Sequence, residues 1–183
     1  MSERYKVIDS AIPTFITLTV VDWIDLFTKP QYTQVLNEAL NYCHVKKGLM
    51  IHAYVYMTSH IHLVATSTDN SLENIIRDFK RFTSRQLIKT IQDYQDSRAK
   101  WLLNKFRYAA RRIKRNSEYK LWQDGFHPVV LDSPFKIKQR IDYIHENPAE
   151  LQLVNDPLDW VNSSVLAYTD EKYIGAIPID ILY

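Results

Sequence analysis

The spacing of apolar and polar residues changes several times along the chain, and each change marks an element. Thr14-Phe-Ile-Thr-Leu-Thr-Val-Val21 is dense in β-branched and aromatic residues and predicts a first strand. From Gln31 to Lys47 the period becomes helical, with Val35, Leu36, Ala39, Leu40 and Cys43 on one face and Gly48 placed to end the helix. Two apolar runs follow, Leu49 to Met57 and His60 to Thr66, separated only by Thr58-Ser59, which predicts paired strands with a tight connection. Asn70 is the expected N-cap of a second helix, with Glu73 in the capping-box position. In that helix Leu72, Ile75, Ile76, Phe79, Leu87 and Ile91 face one way, and Arg77, Arg81 and Arg85 another. A third helix is expected over residues 98–117, and a further strand over Phe126 to Leu131. Ser133-Pro134 opens a last helix, expected to end near Asn147 because Pro148 disfavours helical geometry in the residue before it.

The order strand, helix, strand, strand, helix, later strand is that of a ferredoxin-like α+β sandwich, an antiparallel sheet with helices on one face. The helix from Pro134 is additional to that core. The length, 183 residues, suits one domain, expected over residues 1–168, followed by a tail over 169–183 that can pack on the core or on a partner.

Composition narrows the setting. Hydrophobic residues make up 46% of the chain, which excludes disorder as the dominant state, and one Cys excludes an internal disulfide framework. No apolar stretch reaches signal length near Met1, and none approaches the roughly 20 residues that cross a bilayer, so a soluble, cytoplasmic protein is expected. The net charge of +2 conceals an uneven distribution: residues 77–120 hold 14 Lys and Arg against 4 Asp and Glu, leaving an acidic remainder. Such a basic middle suits either a polyanionic partner or solvated helix faces.

Two constellations can carry chemistry. If Ile61, Leu63 and Ala65 enter the core, His60 and His62 point together to the other side of their strand, about 7 Å apart along it, where two imidazoles can share a divalent metal given a third ligand. The competing reading is a pair of surface histidines. On the last helix Ile137, Ile141 and Ile144 form a buried face, and Tyr143 and Asn147 stand four apart beside it. A phenol and an amide there can meet one metal-bound group; otherwise Tyr143 is an amphipathic core-margin residue and Asn147 a C-terminal cap.

Taken together these residues resemble the REP-associated tyrosine transposases, a branch of the single-tyrosine HUH transposases of bacterial insertion sequences. The resemblance rests on His60-Ile-His62, on Tyr143-Ile-His-Glu-Asn-Pro148, and on Leu153-Val, Pro157, Asp159-Trp160 and Ser163-Ser164 after it. It extends to Asp22-Trp23, Phe79-Lys-Arg-Phe-Thr83 and Leu121-Trp-Gln-Asp-Gly-Phe-His-Pro128, covering about Phe15 to Tyr168. It implies a metal-dependent endonuclease and strand transferase acting on single-stranded or hairpin DNA in a bacterial cell, nucleoid-associated when bound to DNA.

By the same resemblance His60 and His62 are metal ligands, Asn147 a third polar ligand, Tyr143 the nucleophile and the last helix catalytic. Relatives usually carry Met-Pro-Asn before the first histidine, where this chain has Met57-Thr58-Ser59. His145 and Glu146 receive no role. A free tyrosine hydroxyl is a weak nucleophile near neutral pH, and Mg²⁺ or Mn²⁺ beside the scissile phosphate fits the ligand types better than a closed zinc site does. The expected product is a 5′-phosphotyrosine with a free 3′-hydroxyl. Arg77, Lys80, Arg81, Arg85, Arg107, Arg111, Lys114 and Arg115 become candidate DNA contacts.

A homodimer pairing one chain's tyrosine helix with another's histidine strand is compatible with the pattern. So is a hairpin-binding protein that no longer cuts. A replication-initiator or relaxase-type nuclease fits less well, because the chain has one candidate tyrosine and no helicase region. His127 is as well explained by packing as by catalysis; Trp122, Trp160, Tyr168 and Cys43 read as packing residues.

Overall fold

The computed structural model describes residues 9–94, 96–113, 117–170 and 175–182. Strands β1 (Thr14–Thr19), β2 (Leu49–Tyr56), β3 (His60–Ser67) and β4 (Val129–Val130) form an antiparallel sheet in the order β2-β3-β1-β4. Helices α1 (Pro30–Lys47), α2 (Leu72–Asp93) and α3 (Ala99–Arg112) precede β4, and α4 (Pro134–Glu150) follows it. This is the expected ferredoxin-like α+β arrangement, with the added helix in place.

Strand alternation sends Ile16 and Leu18 of β1, and Ile61, Leu63 and Ala65 of β3, into a large core with α1, α2 and α3. The opposite face carries Phe15, Ala53, Val55 and Val64, and α4 covers it with Ile141 and Ile144. The sheet is therefore sandwiched between two unequal layers. Gly48 ends α1 at φ 69°, a left-handed conformation that strains any other residue, and a Cβ there would also displace the Asp69 carboxylate 2.6 Å away. Ile177, in the C-terminal segment, is buried in the large core, and the Asp180 N–H donates to the Ile51 carbonyl.

Four local expectations are corrected. Ser71, not Asn70, is the N-cap residue of α2; the Asn70 amide instead donates to the Lys47 carbonyl at 2.9 Å, closing the end of α1. Helix α3 ends at Arg112, short of residue 117, and Lys114 and Arg115 lie outside the described residues. The Phe126–Leu131 strand contracts to Val129–Val130 because His127 adopts φ 43° and Pro128 has no N–H to give to a ladder. Helix α4 continues through Pro148 to Glu150: a proline in the last turn forfeits one hydrogen bond, and the turn is closed by Leu151 N–H to Asn147 and Leu153 N–H to Pro148. Asn147 is consequently inside the helix and not its cap.

Candidate active site on the α4 face of the sheet

His60 and His62 project from β3 toward α4, as the alternation predicts, with ring centroids 4.7 Å apart. Pairing with β1 sets Thr19 opposite His60 and Thr17 opposite His62, and the Thr17 hydroxyl lies 3.0 Å from His62 Nδ1. The Ser59 hydroxyl lies 3.2 Å from His60 Nδ1. Each imidazole therefore has one nitrogen engaged by a hydroxyl, which fixes the ring and leaves Nε2 as its other nitrogen. His62 is 6% exposed, and its Nε2 is buried with no hydrogen-bond partner among the described residues. Burial, helped by His60 and by the Arg140 charge, pushes the His62 pKa down to about 3, so the ring is neutral at physiological pH. Burial also lowers that of His60, opposed by Asp25.

The unusual Met57-Thr58-Ser59 turn is firmly held. Thr58 donates its hydroxyl to Asp25 at 2.6 Å, and the Thr58 and Ser59 carbonyls accept from the Phe27 and Val20 N–H groups. Next to it, Asp22 and Trp23 both have positive φ, 53° and 54°, uncommon for a side chain as bulky as indole. This bend presents the Trp23 ring, 59% exposed, edge-on to His60 at 5.3 Å.

Helix α4 supplies the opposite wall. With Ile141 and Ile144 buried on the sheet, Tyr143 reaches His62 at 5.3 Å and Phe15 at 6.0 Å between ring centroids. Asn147, one turn later, is buried, and its Oδ1 has no partner among the described residues. The Arg140 guanidinium lies over the Phe15 ring at 5.0 Å and 5.8 Å from the Tyr143 centroid. His145 turns away and fastens the helix: its Nε2 lies 2.9 Å from the Ser164 hydroxyl, which donates to the Tyr54 carbonyl of β2, and its ring packs edge-on against Tyr168. Burial lowers the His145 pKa to about 4, against the opposing charge of Asp142.

No group of three His, Cys, Asp or Glu able to hold a metal occurs among the described residues. The available donors are two imidazoles and an amide. The buried, unpartnered His62 Nε2 and Asn147 Oδ1 are atoms whose desolvation a cation would offset, so the residues present fit a divalent ion with open positions.

Residues 17–118, which include both histidines and stop before α4, match the family model described as IS200-like transposase. The chain belongs to this family. Membership makes it a transposase-family protein with a DNA-processing role, and the resemblance read from the sequence holds at that level. A solved structure described as a REP-associated tyrosine transposase bound to a REP hairpin aligns over 100% of this chain and 94% of its own, with TM-score 0.67 and 18% identity, which supports the shared fold. The chain has no match among curated proteins.

The basic residues of α2 lie on the other side of the sheet from Tyr143. Arg77, Lys80, Arg81 and Arg85 line a groove of about 890 Å³ between α2 and residues 117–126, on the large-core side of the sheet. Lys80 donates to the Gln123 carbonyl at 2.7 Å and to that of Gly125, while Arg77 pairs with Asp78 at 3.2 Å. Arg81 and Arg85 are exposed. On α3, Arg107 pairs with Glu118 at 2.9 Å, and Arg111 is exposed.

Sequence reasoning gave no site role to Thr17 or Arg140, and quoted Trp23, Ser59, His145 and Ser164 only as parts of motifs, without the contacts they make. For Arg140 the local signal was its spacing three residues before Tyr143. Cys43 is buried with its thiol pushed up to about 11 by desolvation, in keeping with a packing residue. Trp122, Trp160 and Tyr168 take structural hydrogen bonds to Thr83, Tyr56 and His52.

Proposed function

We propose that this transposase-family protein cuts and rejoins single-stranded DNA beside hairpins, in the manner of a REP-associated tyrosine transposase, with Tyr143 as nucleophile. The observation that carries this reading is the 5.3 Å approach of the Tyr143 ring to His62, whose buried Nε2 has no other partner among the described residues. His60 Nε2, His62 Nε2 and Asn147 Oδ1 would hold Mg²⁺ or Mn²⁺. Bound there, the cation supplies Lewis-acid polarisation of the scissile phosphate.

The chain's own residues do the rest. Thr17 and Ser59 fix the two imidazoles; a neutral His62 whose Nδ1 proton is donated to Thr17 keeps its Nε2 lone pair inward. The His145–Ser164 tie holds α4 so that the phenol stays at the histidine strand. Tyr143 Oη loses its proton to solvent and attacks phosphorus; the bond from phosphorus to the 3′-oxygen breaks, and that oxygen takes a proton from water. The products are a 5′-phosphotyrosine and a 3′-hydroxyl, and the reverse attack by a 3′-hydroxyl rejoins strands without ATP. The approach of Tyr143 to His62 within one chain supports a site assembled in cis.

Trp23 offers an exposed face on which an unpaired base can stack, and Arg77, Lys80, Arg81, Arg85, Arg107, Arg111, Lys114 and Arg115 remain the candidates for backbone contacts. The test is incubation with a pool of labelled hairpin oligonucleotides carrying randomised single-stranded flanks, with Mn²⁺ or with EDTA. Metal-dependent nicking that disappears in Tyr143→Phe supports the proposal. Hairpin binding without nicking under both conditions would leave a non-catalytic binding protein instead.

A further inference from the structure

Arg140 stands out among the cations of α4. Lys136 pairs with Asp132 at 2.8 Å and Lys138 with Asp142 at 2.7 Å, each using a carboxylate four residues away. Arg140 has no such neighbour: the positions four residues to either side are Lys136 and Ile144. Among the described residues no carboxylate or carbonyl accepts from its guanidinium, which is half-buried against the faces of Phe15 and Tyr143. By contrast, Arg98, Arg107 and Arg112 each pair with a carboxylate. A planar fork of five N–H donors, partly desolvated and without an acceptor among the described residues, against the Tyr143 ring and close enough for its charge to act on His62, has the chemistry of an anion site.

We propose that Arg140 is a phosphate-binding catalytic residue, whose guanidinium holds the non-bridging oxygens of the DNA phosphate that Tyr143 attacks. This rests on Tyr143 being the nucleophile. The two aromatic faces fix the plane of the guanidinium, so its donor edge is set before DNA arrives and needs little reorganisation as charge gathers on the phosphoryl oxygens. The bonds made and broken are those of the transesterification above. Arg140 remains protonated throughout and transfers no proton.

The experiment measures single-turnover nicking of the hairpin pool in Mn²⁺ by wild type, Arg140→Ala, Arg140→Lys and Tyr143→Phe, together with affinity for the uncut pool without metal. Arg140→Ala is expected to slow nicking by about 10²–10³-fold, with affinity changed far less. Arg140→Lys, which keeps a charge without the fork, should fall between. Guanidinium ion added to Arg140→Ala should restore at least about tenfold, which a purely structural role would not allow. A nicking rate in Arg140→Ala within about threefold of wild type, or a loss that guanidinium does not relieve, overturns the Arg140 proposal while Tyr143→Phe stays inactive. Nicking by Tyr143→Phe at the wild-type rate overturns the nucleophile assignment instead.

Discussion

The two faces of the sheet are made by the same strands and filled by opposite rules. On the α1–α3 face, Ile16, Leu18, Ile61 and Leu63 meet Leu36, Phe79 and Phe106, all nearly or fully buried, in continuous apolar packing. On the α4 face a smaller apolar cluster lies beside His62 and Asn147, each with a buried polar atom lacking a partner among the described residues; on the α1 side the corresponding atoms belong to Gln31 and Asp180. Native interiors rarely leave such atoms unpaired, because a desolvated acceptor without a donor is destabilising. The α1–α3 face is packed mainly for stability, and under the proposed function the polar groups of the α4 face serve a cation and DNA.

Substitutions on the two faces should separate stability from chemistry. The largest effect is expected from His62→Ala, which should lower nicking by roughly a thousandfold or more, since several kcal/mol of charge stabilisation are at stake, while urea unfolding changes little. On the opposite face Phe106→Ala should lower the unfolding free energy by about 3–5 kcal/mol and leave the specific activity of the folded fraction intact. If the two variants behaved alike, the division of labour would fail.

A divalent cation offers a finer probe. At a concentration about 100 times its Kd, Mn²⁺ should add roughly 2.7 kcal/mol to stability by mass action, read as a rise in Tm that His62→Ala abolishes. Asn147→Leu should act in the other direction: by removing an unpartnered amide oxygen it should raise the stability of metal-free protein by roughly 1 kcal/mol while nicking falls. A large destabilisation measured by urea would show that Asn147 is structural.

The smallest expected effect concerns acid stability and belongs to the large-core side. The Asp96 carboxylate accepts from the Arg98 N–H at 2.8 Å and the Tyr32 hydroxyl at 3.0 Å, and pairs with Lys29 at 3.2 Å. These contacts, the Arg98 hydrogen bond foremost, hold its pKa below the usual carboxylate value. A depressed folded pKa stabilises at pH above the unfolded value of about 4, and that contribution is lost as pH falls through the folded one. Asp96→Asn should flatten the acid limb of a stability-versus-pH curve measured by urea midpoints.

What was legible in the sequence follows the range of the interactions concerned. Alternation along β3 placed His60 and His62 opposite Ile61 and Leu63, and helical spacing placed Tyr143 and Asn147 on one side of α4, because both periods are local. The meeting of Thr17, His62, Arg140 and Tyr143 was not legible. It depends on strand register across 45 residues and on which face of the sheet α4 covers. Pro148 shows the converse, a local rule overridden when tertiary packing holds the final turn of the helix. The basic middle contains the two amphipathic helices α2 and α3, the second shorter than expected, but their packing on the side of the sheet opposite α4 is a property of topology and not of charge.

The most direct test of the account is to denature a nicking reaction on the hairpin pool, digest the protein and locate the DNA-linked peptide by mass spectrometry. A single adduct at Tyr143, joined to the 5′-phosphate of the cleaved strand and absent when EDTA is present, is the predicted result. Nicking with no covalent adduct, or an adduct on any other residue, would contradict it.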